Sequence, residues 1–200
     1  DYAMLKYFTE FWCSDDTDPF ERIYIQWSLS KFFPAKTMGS HVTNWNRKTS
    51  VKFRTDVCSM CKLGFDIDLK SLSADDYKFM QQAVANYNEL KPVILEGDQY
   101  RLVSPNGSDH CALNYVQKDG SRAVLFAYDL HPRFSEPQQN VKLKGLDPKR
   151  TYTVREINLM PGAQSSIESN GKTYSGDYLM KIGIKVFTPY EATSHVVLFE

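Results

Sequence analysis

Around residue 97 the chain changes its hydrophobic period, and no other feature limits its possible folds as much. Up to about residue 95, short apolar runs alternate with stretches of helical spacing. From about residue 97, short runs rich in β-branched and aromatic residues follow one another, with turn residues between them. The first pattern belongs to a parallel α/β layer and the second to an all-β domain of the sandwich type. The boundary falls at Pro92–Asp98.

In the first half, Asp18-Pro19-Phe20-Glu21 reads as a helix start, with Asp18 as cap, proline in the first turn and Glu21 three residues after the cap. Phe20, Ile23, Tyr24 and Trp27 continue the apolar stripe towards Phe32-Phe33-Pro34. Lys36–Val42 and Leu63–Ile67 read as strands. A second helix begins after Ser73 and stops before Lys91-Pro92, because the residue preceding proline disfavours helical angles. Two or three parallel strands with helices on one side cannot cover both of their faces, so this half reads as part of a larger α/β structure. In the second half the expected strands are Gln99–Val103, Cys111–Gln117, Arg122–Tyr128, Val141–Leu143, Thr151–Ile157, Ile182–Phe187 and His195–Phe199. Asp119-Gly120 and Asn170-Gly171 are the expected tight turns.

Lysine and arginine together number 24, as do aspartate and glutamate, so the formal net charge is zero. Without a basic excess there is no field to hold a phosphate backbone, which argues against nucleic acid as a partner. No apolar run approaches the roughly 20 residues that cross a bilayer, so no membrane partner is expected. The four cysteines are too few for a disulfide framework in 200 residues. Cys58-x-x-Cys61 has no second ligand pair, so buried thiols are expected rather than a metal site, and no cofactor is implied. The chain opens on Asp1 and lacks the charge layout of a signal peptide, which reads as a piece of a longer protein. Any targeting segment would lie upstream, and the compartment is left open.

Phe11-Trp12-Cys13-Ser14-Asp15-Asp16-Thr17-Asp18 carries the most chemistry. It lies between an apolar run and a capped helix, at the kind of βα junction where α/β barrels place catalytic groups. A tryptophan there can shield a carboxyl group, which favours its protonated form, and can offer a flat face to a sugar ring. The plainer reading is that the aspartates cap the helix and face water while Trp12 joins the core.

Further matches shift the balance between them. Trp12-Cys13-Ser14-Asp15-Asp16-Thr17-Asp18, with Glu21-Arg22 and Ile25-Gln26, resembles the Trp-x-Ser-Asp-x-Thr-Asp…Glu-Arg…Ile-Gln signature of glycoside hydrolase family 36, the bacterial α-galactosidases. Pro34 to Met38-Gly39-Ser40-His41-Val42 is similar to the family's Pro-x-x-x-Met-Gly-x-His-Val segment. Phe65–Leu69 sits where the last barrel strand of the family lies. Ser175-Gly176-Asp177-Tyr178-Leu179-Met180 with Gly183 resembles its Ser-Gly-x-x-Leu-Met-x-x-Gly-Leu ending, with Ile184 in place of leucine.

The resemblance implies the C-terminal part of a (β/α)8 TIM barrel over residues 1–95, followed by an antiparallel β-sandwich over 96–200. The implied activity is that of a retaining α-galactosidase acting on terminal α-galactosides such as raffinose-type sugars. It places the acid/base on Asp15 and a galactose-pocket wall on Trp12. His41 is read as structural. The nucleophile's Lys-Trp-Asp motif is absent from these 200 residues, as is the glycine-rich loop that precedes the matched segment. Asp1 matches the end of that loop.

The expected partners are therefore α-galactoside oligosaccharides and the N-terminal part of the same enzyme, with a homo-oligomer as a further possibility in the family. Without the nucleophile the segment is expected to be inactive alone. Two alternatives stand beside this: a non-catalytic sugar-binding β-module using Tyr100, Tyr115, Tyr128, Phe134 and Tyr174, and a different sugar specificity on the same scaffold. For the module, alternating aromatics in a sandwich are more often core.

Overall fold

The computed structural model describes residues 2–45, 48–137 and 139–200; Asp1 lies outside them. Strands β1 (Phe11–Trp12), β2 (Met38–Val42) and β3 (Lys62–Phe65) form a parallel sheet in that order, with Trp12 beside Gly39 and His41 beside Gly64. Each strand is followed by a helix: α1 (Pro19–Leu29), α2 (Val51–Cys58) and α3 (Ala74–Glu96). Three βα units thus run in sequence, and all three helices pack on one face of the sheet.

Asp18 caps α1 by accepting from the Phe20 and Glu21 amides, as its sequence context indicates. α2 has no counterpart among the elements expected from sequence. Val51, Phe53, Thr55, Asp56, Val57 and Cys58 are all buried, so the helix has no polar face to reveal its period, and only the Ser50 cap on the Phe53 amide marks its start. The expected end of α3 before Lys91-Pro92 is corrected. The helix continues through Pro92 to Glu96, because Leu90, Val93 and Ile94 are buried in the main core. Their burial, at about 1.5–3 kcal/mol for each large apolar side chain, offsets the roughly 3 kcal/mol that an interior proline costs.

The second half is built on a six-stranded antiparallel sheet. Strands β4 (Asp98–Val103), β5 (His110–Val116), β6 (Ala123–Asp129), β7 (Thr151–Ile157), β8 (Thr173–Ser175) and β9 (Thr193–Phe199) lie in the order β4-β5-β6-β9-β7-β8. Gly120, at φ +68, turns the chain between β5 and β6, and Gly171, at φ +78, precedes β8. The expected strands Val141–Leu143 and Ile182–Phe187 are instead a single bridge, Val141 to Ile184, in otherwise irregular chain. Their apolar residues do form a layer: Val141, Leu143, Ile184, Val186 and Phe187, with Leu179 of the short helix α4 (Gly176–Lys181), cover one face of the sheet. Burial, rather than pairing, explains their strand-like composition.

The other face of this sheet packs on the helices. Phe20, Ile23 and Trp27 of α1, Phe53 and Val57 of α2, and Leu90, Val93 and Ile94 of α3 share one core with Leu113, Tyr115, Val124, Phe126, Tyr128, Val196 and Leu198. The helices therefore lie between two sheets. Polar contacts cross the same boundary: the Tyr115 hydroxyl donates to the Met60 carbonyl at 2.6 Å and the Tyr128 hydroxyl to that of Asp56 at 2.9 Å. Both tyrosines are thus core residues and not part of a sugar platform.

At the centre of the boundary the fully buried Asp56 carboxylate accepts from Lys52 Nζ at 2.5 Å, Ser194 Oγ at 2.7 Å and Asn158 Nδ2 at 2.8 Å. Lys52 also donates to the Ser194 carbonyl at 2.8 Å. Removing one partner of a buried, hydrogen-bonded ion pair strands the others, so Asp56→Ala is expected to cost about 3 kcal/mol in a urea unfolding experiment.

On the far side of the β-domain, His110 Nδ1 lies 2.8 Å from the buried Asp129 carboxylate, with Glu136 near its other nitrogen. The hydrogen bond to Asp129, partly opposed by burial, raises the His110 pKa above 6.5. The contribution of a group with a raised folded pKa is complete below its unfolded value and fades as pH rises through the folded one. The thermal midpoint should therefore decline across that window above pH 6.5, and His110→Gln should flatten the decline.

Candidate active site

The side chains of β2 alternate. Met38, Ser40 and Val42 point into the helix layer and are buried, while Gly39 and His41 lie on the opposite face and are half-exposed. Trp12, in register with Gly39, shares that face and is 40% exposed. This face of the parallel sheet thus carries an ordered row. His41 lies over Gly64, where an added Cβ would come within 2.2 Å of the imidazole Cδ2. The Trp12 indole meets His41 edge-on, with centroids 4.4 Å apart. Beyond Trp12, the Arg22 guanidinium lies 4.8 Å from the ring centroid.

This row borders a cavity of about 750 Å³ that Glu10, Lys62 and Phe65 also line, and whose further wall is α3 with Val84, Tyr87 and Asn88. Lys62 pairs with Glu10 across the lower end. Tyr87 of α3 closes one side: its hydroxyl donates to the Cys61 carbonyl at 2.7 Å and accepts from the Leu63 amide at 3.2 Å, which fixes the edge strand β3 to the helix.

The segment after β1 is built from short polar links. Asp16 accepts from the Asp18 amide at 3.0 Å, and Ser14 Oγ accepts from the Asp16 amide at 3.1 Å. The buried Thr43 hydroxyl, just after β2, donates to the buried Thr17 hydroxyl at 2.9 Å and joins the two loops. Arg54 of α2 donates to the Thr43 carbonyl. Asp15 stands clear of these links. Its side chain is exposed three residues beyond the end of β1, and Trp12 Nε1 donates to its Oδ1 at 3.1 Å. Trp12 therefore holds this carboxylate by a directional hydrogen bond instead of covering it.

Trp12, Asp15 and His41, all singled out from sequence, are brought together at the C-terminal end of the parallel strands. Asp18 is spent on the helix cap. Arg22 also belongs to the sequence motif, and its contacts with Trp12 and Ser14 come only with the fold. The four cysteines are free. Cys58, Cys61 and Cys111 are buried, and burial raises the Cys58 thiol pKa to about 11. Among the described residues, no group of three His, Cys, Asp or Glu side chains could hold a metal ion, and no helix is long and apolar enough to cross a membrane.

Comparison with known proteins places the chain. Residues 1–97 match the family model described as melibiase, and residues 110–199 match the glycosyl hydrolase family 36 C-terminal domain. The chain belongs to glycoside hydrolase family 36. Probable α-galactosidase G of Aspergillus terreus is 31% identical over the whole chain, and probable α-galactosidase C of Aspergillus flavus is 33% identical. Among solved structures, family 36 α-galactosidase AgaB of Geobacillus stearothermophilus superposes with a TM-score of 0.87 at 28% identity over 98% of the chain. An AgaA variant from the same organism, solved with raffinose, gives 0.86 at 27% identity over the same share. The chain spans about a quarter of the length of these relatives: 26% of the two curated ones and 26% of each solved chain.

The row on the family 36 sheet face makes a local prediction. In Gly64→Ala the new methyl group collides with the His41 ring, a displacement that typically costs about 1–3 kcal/mol. Removing the ring as well, in the double variant with His41→Ala, should be less destabilising than the two single changes added together, as read from urea midpoints in a double-mutant cycle.

Proposed function

We propose that the chain is the C-terminal portion of a retaining α-galactosidase, in which β1 to β3 and α1 to α3 are the last three βα units of a (β/α)8 barrel. Residues 1–95 belong to that catalytic domain and 96–200 to the β-domain that follows. Asp15 is the acid/base, and Trp12 is a wall of the galactose site. The observation that carries this reading is the position of Asp15: exposed, three residues beyond the C-terminal end of a parallel strand, and held by the Trp12 N–H. Family membership and the raffinose and stachyose complexes of related AgaA variants support oligosaccharides with a terminal α-galactose as substrates.

In a retaining mechanism one carboxylate attacks the anomeric carbon. The other protonates the departing oxygen, then takes a proton from the water that releases the sugar. Asp15 has the freedom for the second role, since Oδ2 has no partner among the described residues. Asp16 and Asp18 do not replace the nucleophile, because they stand on the same loop within three residues of Asp15, whereas the second carboxylate must reach the sugar from another barrel strand. The nucleophile must come from an earlier barrel strand, so these 200 residues are inactive by themselves.

In the full-length enzyme, Asp15→Ala is expected to lower turnover of ordinary galactosides by about 10²–10⁴-fold. Galactosides with acidic phenol leaving groups, which depart without a proton, should recover part of that loss. Steady-state rates on both substrate types decide the matter, and near-normal turnover of ordinary galactosides would reject Asp15 as the acid/base.

A further inference from the structure

Arg22 is buried in an unusual way. Its side chain is fully shielded from solvent, yet no carboxylate among the described residues pairs with it. Nη2 donates to the Ser14 carbonyl at 2.6 Å, the Cys13 thiol lies beside the guanidinium, and Nε and Nη1 have no hydrogen-bond partner among the described residues. The nearby Cys13 thiol is not a counter-ion: burial outweighs the influence of Arg22 and raises its pKa to about 11, so it is neutral at physiological pH. A buried cation left uncompensated costs several kcal/mol, and an apolar side chain of similar volume would fill the site more cheaply. The guanidinium must therefore do something that a methionine would not.

Its surroundings indicate what that is. The carbonyl that Arg22 holds belongs to Ser14, the residue immediately before Asp15. The ring beneath its guanidinium is Trp12, whose N–H grips Asp15 Oδ1. A cation over an indole face withdraws electron density from the ring, which strengthens the N–H as a donor, and the planar stack restricts the indole's rotation. His41 also packs against the same ring.

We propose that Arg22 is a positioning residue for proton transfer: it aims the Asp15 carboxyl group through two routes, the Ser14 backbone and the Trp12 indole. This rests on the reading of Asp15 as the acid/base. Arg22 does not touch substrate. Its loss should misalign the proton donor while leaving galactose binding nearly unchanged.

The test compares kcat/KM across α-galactosides of graded leaving-group acidity, from alkyl to nitrophenyl, in the full-length enzyme and its Arg22→Met, Arg22→Lys and Asp15→Ala variants. For Arg22→Met the expected loss is about 10- to 100-fold on alkyl galactosides, the range seen when the support of an active group is removed. The loss should be much smaller on nitrophenyl galactosides, so that rate depends more steeply on leaving-group acidity. KM for the alkyl substrates should stay within about twofold, as expected when the lost interaction acts in the transition state. Arg22→Lys, which keeps the charge but not the planar fork, should fall between Arg22→Met and wild type.

A purely structural role would lower the thermal midpoint and the yield of active enzyme equally for every substrate. An Arg22→Met loss that is the same for all leaving groups overturns the proposal. Should Arg22→Met not fold, a wild-type dependence in Arg22→Lys overturns it. Asp15→Ala separates the two levels. If that variant does not steepen the dependence, the acid/base assignment fails and the role of Arg22 falls with it. If it does and the Arg22 variants do not, only the role of Arg22 is lost.

Discussion

The three helices of the first half must satisfy two sheets at once, and most of the molecule follows from that requirement. One side of the helix layer receives Met38 and Val42 from the parallel sheet. The other receives Tyr115, Phe126, Tyr128 and Leu198 from the antiparallel one. A helix buried on both sides has little polar surface left, which is why α2 is almost wholly shielded and why α3 runs on past its proline. The shared core leaves no linker between the halves: α3 ends at Glu96 and β4 begins at Asp98. The Asp56 cluster sits inside this boundary and orients it, since its donors come from α2, from β9 and from the chain just after β7.

The side chains of β2 that turn away from the helix layer share their face with Trp12. Gly39 and Gly64 supply flat floor, and His41 and Trp12 rise from it in van der Waals contact. The acidic loop is fastened at Thr17 to Thr43 and at Asp18 to the helix, so Asp15 is presented from a rigid frame. Such a frame is what the proton transfer proposed for Asp15 would need, since that step tolerates little displacement. The C-terminal domain contributes at a distance, by clamping the helices that support the strands.

Much of this was legible in the residues. The Asp18 cap, the strands around Met38–Val42 and Thr151–Ile157, and the Asp119-Gly120 turn are governed by local chemistry: side-chain capping, alternation and positive φ. The motif around Trp12 and Asp15 was also visible, because a tryptophan, a serine and three acids in seven positions is an unusual density of function. Elements whose state depends on distant partners were not legible. Val141–Leu143 and Ile182–Phe187 have the composition of strands, but they cover a sheet instead of extending one.

Arg22 shows the division most clearly. Its place on α1 follows from the helix period, which any reader of the chain can count. Its meaning does not, because an arginine four residues after a helix cap is ordinarily a solvated one. Only the packing of α1 against the end of β1 and the loop after it encloses that side chain. The guanidinium then lies against Trp12 and the Ser14 carbonyl, and no carboxylate among the described residues pairs with it. Sequence by itself therefore determined which side chains stand near the end of β1, through capping and period. The tertiary fold decided which of them are dry, and the direction and strength of electrostatic contacts depend on that dryness.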